Sequence, residues 1–176
     1  RSTNFNGLII NNGKMVTQIN QHMIQVASAK LSVGKNGQIS ASGAVDIDKG
    51  SFSFVSREKN IYVQELMHFL SAKKIAHGVI DAESQYSGSF LDKDKDLRIV
   101  SKGAIAGGVF ENINLARTTN FSFDASYVFD KKITIARAVV SDNLGLSVNF
   151  NGAGDLITNS LRGDFVGRCG HVSKYV

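Results

Sequence analysis

Ser101-Lys102-Gly103-Ala104-Ile105-Ala106-Gly107-Gly108-Val109-Phe110-Glu111-Asn112-Ile113-Asn114-Leu115-Ala116 lies between two long runs of alternating polar and apolar residues. Gly103, Gly107 and Gly108 can supply the left-handed or close-approach backbone that a turn or bulge needs. Ile105, Val109, Phe110, Ile113 and Leu115 return the chain to an apolar environment. The stretch reads as a hinge in a sheet, and no catalytic chemistry is visible in it.

Upstream of the hinge the period is two. Ile39, Ala41, Gly43, Val45 and Ile47 face one way, against Gln38, Ser40, Ser42, Asp46 and Asp48. Asp48-Lys49-Gly50 turns the chain into Phe52 and Phe54. Ile80, Ala82, Tyr86 and Phe90 then oppose Asp81, Glu83, Gln85 and Ser89. Nearer the start, Asn11-Asn12-Gly13 reads as a hairpin turn, and the alternation slips near Gln25.

Downstream, Phe121, Phe123, Ala125, Tyr127 and Phe129 alternate with Ser122, Asp124, Ser126 and Asp130. After the turns Asp130-Lys131-Lys132 and Ser141-Asp142-Asn143, Leu144, Leu146, Val148 and Phe150 alternate with Gly145, Ser147 and Asn149. A second slip falls near Arg137. Leu161, Gly163 and Phe165 close the pattern.

Residues 61–72 break the β rhythm. Val63, Leu66, Met67 and Leu70 fall at the spacing of a short amphipathic helix, with Asn60 as its N-cap. One helix of about a dozen residues, some 15 to 18 Å long, cannot cover about ten strands spanning more than 40 Å. The sheet must therefore fold over on itself or curl into a groove with an apolar lining. The expected fold is mainly β: a long curled antiparallel sheet forming an apolar-lined groove, with one short helix, as a single domain over residues 1–176.

Composition agrees with one globular domain. The 176 residues are 43% hydrophobic, with no Pro and no Trp but 17 Gly and 11 Phe, so Gly, Asn and Asp must make the turns. The formal charge is +5, from 20 basic and 15 acidic residues, and reads first as a solubility feature. The single cysteine, Cys169, cannot form an internal disulfide. Beginning at Arg1, with no apolar run long enough to span a membrane as a helix, the sequence is expected to be a piece of a longer chain.

Reactive constellations are not found. Asp92 to Asp96 lacks the glycine and distal glutamate of a calcium loop, and Lys93 and Lys95 would repel the ion. His22, His68, His77 and His171 share no metal-ligand spacing. The glycine clusters lack the phosphate-loop ending, so neither cofactor nor metal is expected. Asn120-Phe121-Ser122 matches a glycosylation sequon, but Asn120 begins a strand. The aromatic stripes alternate with Ser, Asp and Asn rather than with basic residues, which argues against stacked nucleic-acid bases as a partner. No catalytic residues are assigned, and the chain is not expected to be an enzyme.

Three segments resemble the C-terminal domain of the AsmA-like family of Gram-negative envelope proteins. Ala44-Val45-Asp46-Ile47 through Tyr62-Val63-Gln64-Glu65-Leu66-Met67 looks like its strand and short helix. Lys102-Gly103-Ala104-Ile105 with Gly108-Val109-Phe110-Glu111-Asn112-Ile113-Asn114-Leu115 looks like its glycine-punctuated strand pair, with Asn112 where the family usually has Gly. Asn151-Gly152-Ala153-Gly154-Asp155-Leu156, followed by Leu161, looks like its closing strand. The resemblance spans roughly Gln38 to Phe165. It implies a periplasmic domain, tethered to the inner membrane by a segment outside this sequence, that helps phospholipid pass between inner and outer membranes and maintains outer-membrane integrity. The partners would be phospholipid acyl chains. The alternatives are an assembly factor receiving strands of outer-membrane β-barrel proteins or autotransporters, and a structural β-sandwich.

Overall fold

A computed structural model describes residues 3–5, 8–65, 76–91, 96–110, 113–114, 118–128, 132–155 and 160–170. They form one twelve-stranded antiparallel sheet. Ten strands are long: β2 Leu8–Ile19, β3 Met23–Val33, β4 Gly37–Asp46, β5 Ser51–Tyr62, β6 Ala76–Ser89, β7 Asp96–Phe110, β9 Thr118–Val128, β10 Lys132–Asp142, β11 Leu146–Asp155 and β12 Ser160–Cys169. Two are short: β1 Thr3–Phe5 and β8 Ile113–Asn114.

Neighbours in sequence are neighbours in space from β1 to β12, except that β8 folds back on β7 and β9 takes the next place. The sheet is an open meander, as short turns between alternating segments require. Along β5 the more covered residues are Phe52, Phe54 and Ser56, while Ser53, Val55 and Arg57 are exposed. That alternation makes the face carrying Phe52 and Phe54 the more covered of the two.

The stretch read as a hinge is the second half of β7 and its hairpin with β8. Gly103 lies mid-strand, paired with Ala82 on one side and Phe121 on the other. The irregularity falls four residues later. Pairing passes from Val79–Ala106 to His77–Val109, so Gly78 stands opposite Gly107 and Gly108 in a bulge, with Gly78 at φ 133° and Gly107 at φ 58°.

Four other expectations change. Asn11-Asn12-Gly13 lies inside β2, with Asn11 left out of the register between Ile10 and Asn12. Its side chain donates to the Gly34 carbonyl, so turn-type residues here serve a bulge. Ile61 and Tyr62 end β5, and the helix opens at residues 63–65. Asn60 is therefore no N-cap: it takes the left-handed backbone of a bulge, φ 54°, and donates its N–H to Asp81 Oδ1 at 2.7 Å. The turn before β11 falls at Asn143 to Gly145, two residues later than expected, because β10 runs through Asp142. Residues 66–72 of the expected helix, Phe129 and most of the Asp92–Asp96 run lie outside the described residues, while Asp96 opens β7.

Tight burial gathers at one end of the apolar face. Val33 (1% exposed), Ile61 (2%) and Val63 (9%) are its buried apolar side chains among the described residues, joined there by Thr119 (1%). Ile61 pairs with Ile80, Ile80 with Ile105, and Ile105 with Thr119. The first helical residues close this end: Glu65 Oε1 accepts from the Lys35 N–H at 3.2 Å, and Gln64 Nε2 meets His77 Nδ1 at 2.6 Å.

Thr119 Oγ1 is buried without a hydrogen-bond partner among the described residues. Thr119→Val keeps the branched shape and removes a desolvated hydroxyl, so stability should rise by about 1 kcal/mol. The urea midpoint measures this. A fall would mean that the hydroxyl has a partner.

Candidate functional site

The register carries one apolar face across the sheet. Val45 pairs with Phe52, Phe54 with Tyr86, Tyr86 with Ile99, and Ile99 with Ala125. Phe123 pairs with Ala138, Ala138 with Phe150, and Phe150 with Phe165. Directly opposed residues point to the same side of a sheet, so these pairs form continuous rows.

Ile39, Ala41, Val45, Phe52, Phe54, Ile80, Ala82 and Tyr86 stand on this face, as do Phe121, Phe123, Ala125, Tyr127, Leu146, Val148 and Phe150. All are half-covered rather than buried. Phe52 and Phe54 lie tilted with ring centroids 6.4 Å apart, and Phe121 and Phe123 lie stacked at 6.5 Å, which continues the apolar surface along each strand.

Three expected lining residues are elsewhere. Ile47 and Phe90 lie just beyond β4 and β6 and are 38% and 39% exposed. Leu144 belongs to the turn before β11. Alternation in the sequence continues past each strand, but the ladder that would hold these side chains on the face has ended.

A polar band crosses the apolar face unannounced by the sequence reading. Ser56, Ser84 and Ser101 are each 5% exposed. Ser84 Oγ lies 3.0 Å from Ser101 Oγ and donates to Glu58 Oε2 at 3.3 Å, while Ser56 Oγ donates to Glu58 Oε1. Four side chains on three strands thus satisfy one another where an unpaired hydroxyl would be costly. Extending the Phe52, Phe54 alternation to Ser56 and Glu58 could have found the first two.

The opposite face is polar and ion-paired. Arg57 Nε lies 3.0 Å from Glu83, and Lys102 reaches the same carboxylate at 3.5 Å. Arg98 makes a two-pronged contact with Asp124, at 3.0 and 2.6 Å. That contact lowers the Asp124 pKa below the ordinary carboxylate range and raises that of Arg98. Clefts of about 590 and 400 Å³ open beside these side chains, and their walls mix charged groups such as Glu83 and Lys102 with apolar ones, Phe121 in the first and Phe123 in the second.

Gly103, Gly107 and Gly108 do not converge with the apolar rows to form a reactive site. His22 Nδ1 meets Asp48 Oδ2 at 2.7 Å where two turns adjoin, a pair the sequence spacing did not suggest. Among the described residues no cluster of three metal-ligating side chains occurs, and no helix is long and apolar enough to cross a membrane. No family model matches this sequence, no curated protein matches it, and no solved structure matches its fold.

Proposed function

We propose that this chain is a periplasmic lipid-handling domain whose apolar face takes up phospholipid acyl chains and, without catalysis, helps move phospholipid between the inner and outer membranes. The carrying observation is surface left uncovered by folding. The chain exposes 12050 Å², whereas a compact monomer of its 19.0 kDa would expose about 8,400 Å². Aromatic and aliphatic rows that the fold leaves half-covered gain about 0.8 kcal/mol for each acyl CH₂ they bury. The resemblance to AsmA-like domains supports the same reading and supplies the inner-membrane tether and the envelope setting.

A second reading, assembly of outer-membrane β-proteins, draws on the sheet's open edge. Phe165 and Val166 on β12 are 68% and 59% exposed, and the outer side of that strand has no ladder partner among the described residues. Such an edge accepts an added strand.

Native mass spectrometry of protein purified from cells should show phospholipid copurifying at near-stoichiometric level. Phe123→Asp should reduce lipid capture by more than its loss of stability explains; a charge on a half-covered face can itself cost several kcal/mol, so both are measured. A clean apo mass with no uptake of added fluorescent lipid would overturn the reading. Peptide rather than lipid adducts from a crosslinker on β12 would select the assembly reading.

A further inference from the structure

Cations on the polar face are neutralised at most places where strands bring them near acids: Arg57 and Lys102 share Glu83, Arg98 holds Asp124, and Lys49 reaches Asp46 at 3.3 Å. The rule fails over β2 to β5. Lys14 stands directly opposite Lys30, Lys30 opposite Ser40, and Ser40 opposite Arg57. In the next row on the same face Asn12 opposes Ser32, Ser32 opposes Gln38, and Gln38 opposes Lys59.

These two rows wall a single cleft of about 440 Å³. Among the described residues four cations enter its lining and no carboxylate does. Lys14, Lys30 and Lys59 have no acidic side chain within ion-pair distance among the described residues, and Arg57 is held from outside the cleft by Glu83. Like charges directly opposed on a sheet are destabilising. Among the described residues no acid offsets this cost, while Asn12, Ser32, Gln38 and Ser40 add neutral hydrogen-bonding groups between the charges.

We infer that this cleft binds a multiply charged phosphate group. Four strands at about 4.8 Å spacing place the cations across about 14 Å, wide enough for more than one phosphate, and Arg57 offers the planar fork that grips phosphate oxygens in pairs. The cleft lies on the face opposite the aromatic rows. Its ligand is therefore a second one, separate from any acyl chain, and the inference stands without the lipid-handling reading. The same chemistry is presented by soluble polyphosphate and by an anionic lipid surface.

The test is calorimetric titration of the whole chain with inorganic tripolyphosphate at low ionic strength, where exposed charges are least screened. The K14Q/K30Q double variant should bind about tenfold more weakly or worse. K49Q/R162Q makes the same charge change elsewhere and should bind as the parent does. K14R/K30R keeps the charge and should retain binding, which separates lost contacts from misfolding. A parallel arm uses vesicles: binding to phosphatidylglycerol but not phosphatidylcholine, lost in K14Q/K30Q, assigns the source to lipid headgroups, and tripolyphosphate binding alone assigns it to a soluble anion. No binding by the parent, or equal weakening in both glutamine variants, overturns the inference.

Discussion

Ile61→Ala should cost about 3 kcal/mol of folding free energy, within the 2 to 5 kcal/mol range of large-to-small changes at fully buried sites. Ile61 is 2% exposed and is the largest fully buried side chain among the described residues. Its Cδ1 sits 2.8 Å from where a side chain on Gly37 would begin, so Ile61 fills the space that Gly37 leaves. Collapse around the missing methyls is hindered on both sides. The bulge between Glu58 and Ile61 fixes the backbone, and the Asn60 N–H is tied to Asp81. Urea denaturation with an unchanged slope would read the loss directly. Ile19→Ala, at a site 71% exposed, should shift the midpoint little. A loss at Ile61 below about 1 kcal/mol would mean that this end of the sheet is no core.

The central strands were legible because one rule governs them. Along β4, β6, β9 and β11 the residues of the apolar face fall at every second position and are Ile, Leu, Val, Phe, Tyr, Ala or Gly, apart from Ser84 and Thr119. The two slips in alternation also had physical causes. Pairing skips between Val26 and Ala29 on β3 and between Ile135 and Ala138 on β10, so the breaks near Gln25 and Arg137 mark bulges that restore the same face.

What the sequence hid was where ladders stop. Val63 opens the helical stripe yet also fits a period of two with Ile61, and only strand pairing with Ile80 and Val79 assigns residues 61 and 62 to β5. Asn and Gly mark both turns and bulges, which is why Asn11 and Gly107 were legible as irregular but not by kind. The candidate face was legible as apolar rows. Its serine and glutamate band was not, because Ser56, Ser84 and Ser101 resemble solvent-facing residues until neighbouring large side chains cover them.

The polar face shows the complementary limit. Lys14, Lys30, Arg57 and Lys59 are scattered over 46 positions of sequence and read individually as solvated charges. Cross-strand register alone gathers them around one cleft. Their partner chemistry thus depends on pairing, not on any local motif.

Gly103→Val should destabilise by about 3 kcal/mol, the upper end of what overpacking usually costs. The reason is space rather than backbone conformation. A Cβ at residue 103 would stand 2.3 Å from the Asp81 carbonyl oxygen, 2.8 Å from Ala82 Cβ and 2.9 Å from Ala82 Cα. Backbone cannot turn aside as a flexible side chain can, so β6 and β7 must separate or shift register. Both strands sit mid-sheet, where a shift also disturbs the Gly103–Phe121 pair on the far side. Gly103→Ala should show most of the loss, since the first carbon makes the collision, and the valine methyls add to it. Had the glycine served as a hinge, alanine would cost at most about 1 kcal/mol through lost backbone freedom. Urea midpoints of the two variants separate these accounts: a large loss already at alanine supports close strand approach, and a small loss at both would overturn it.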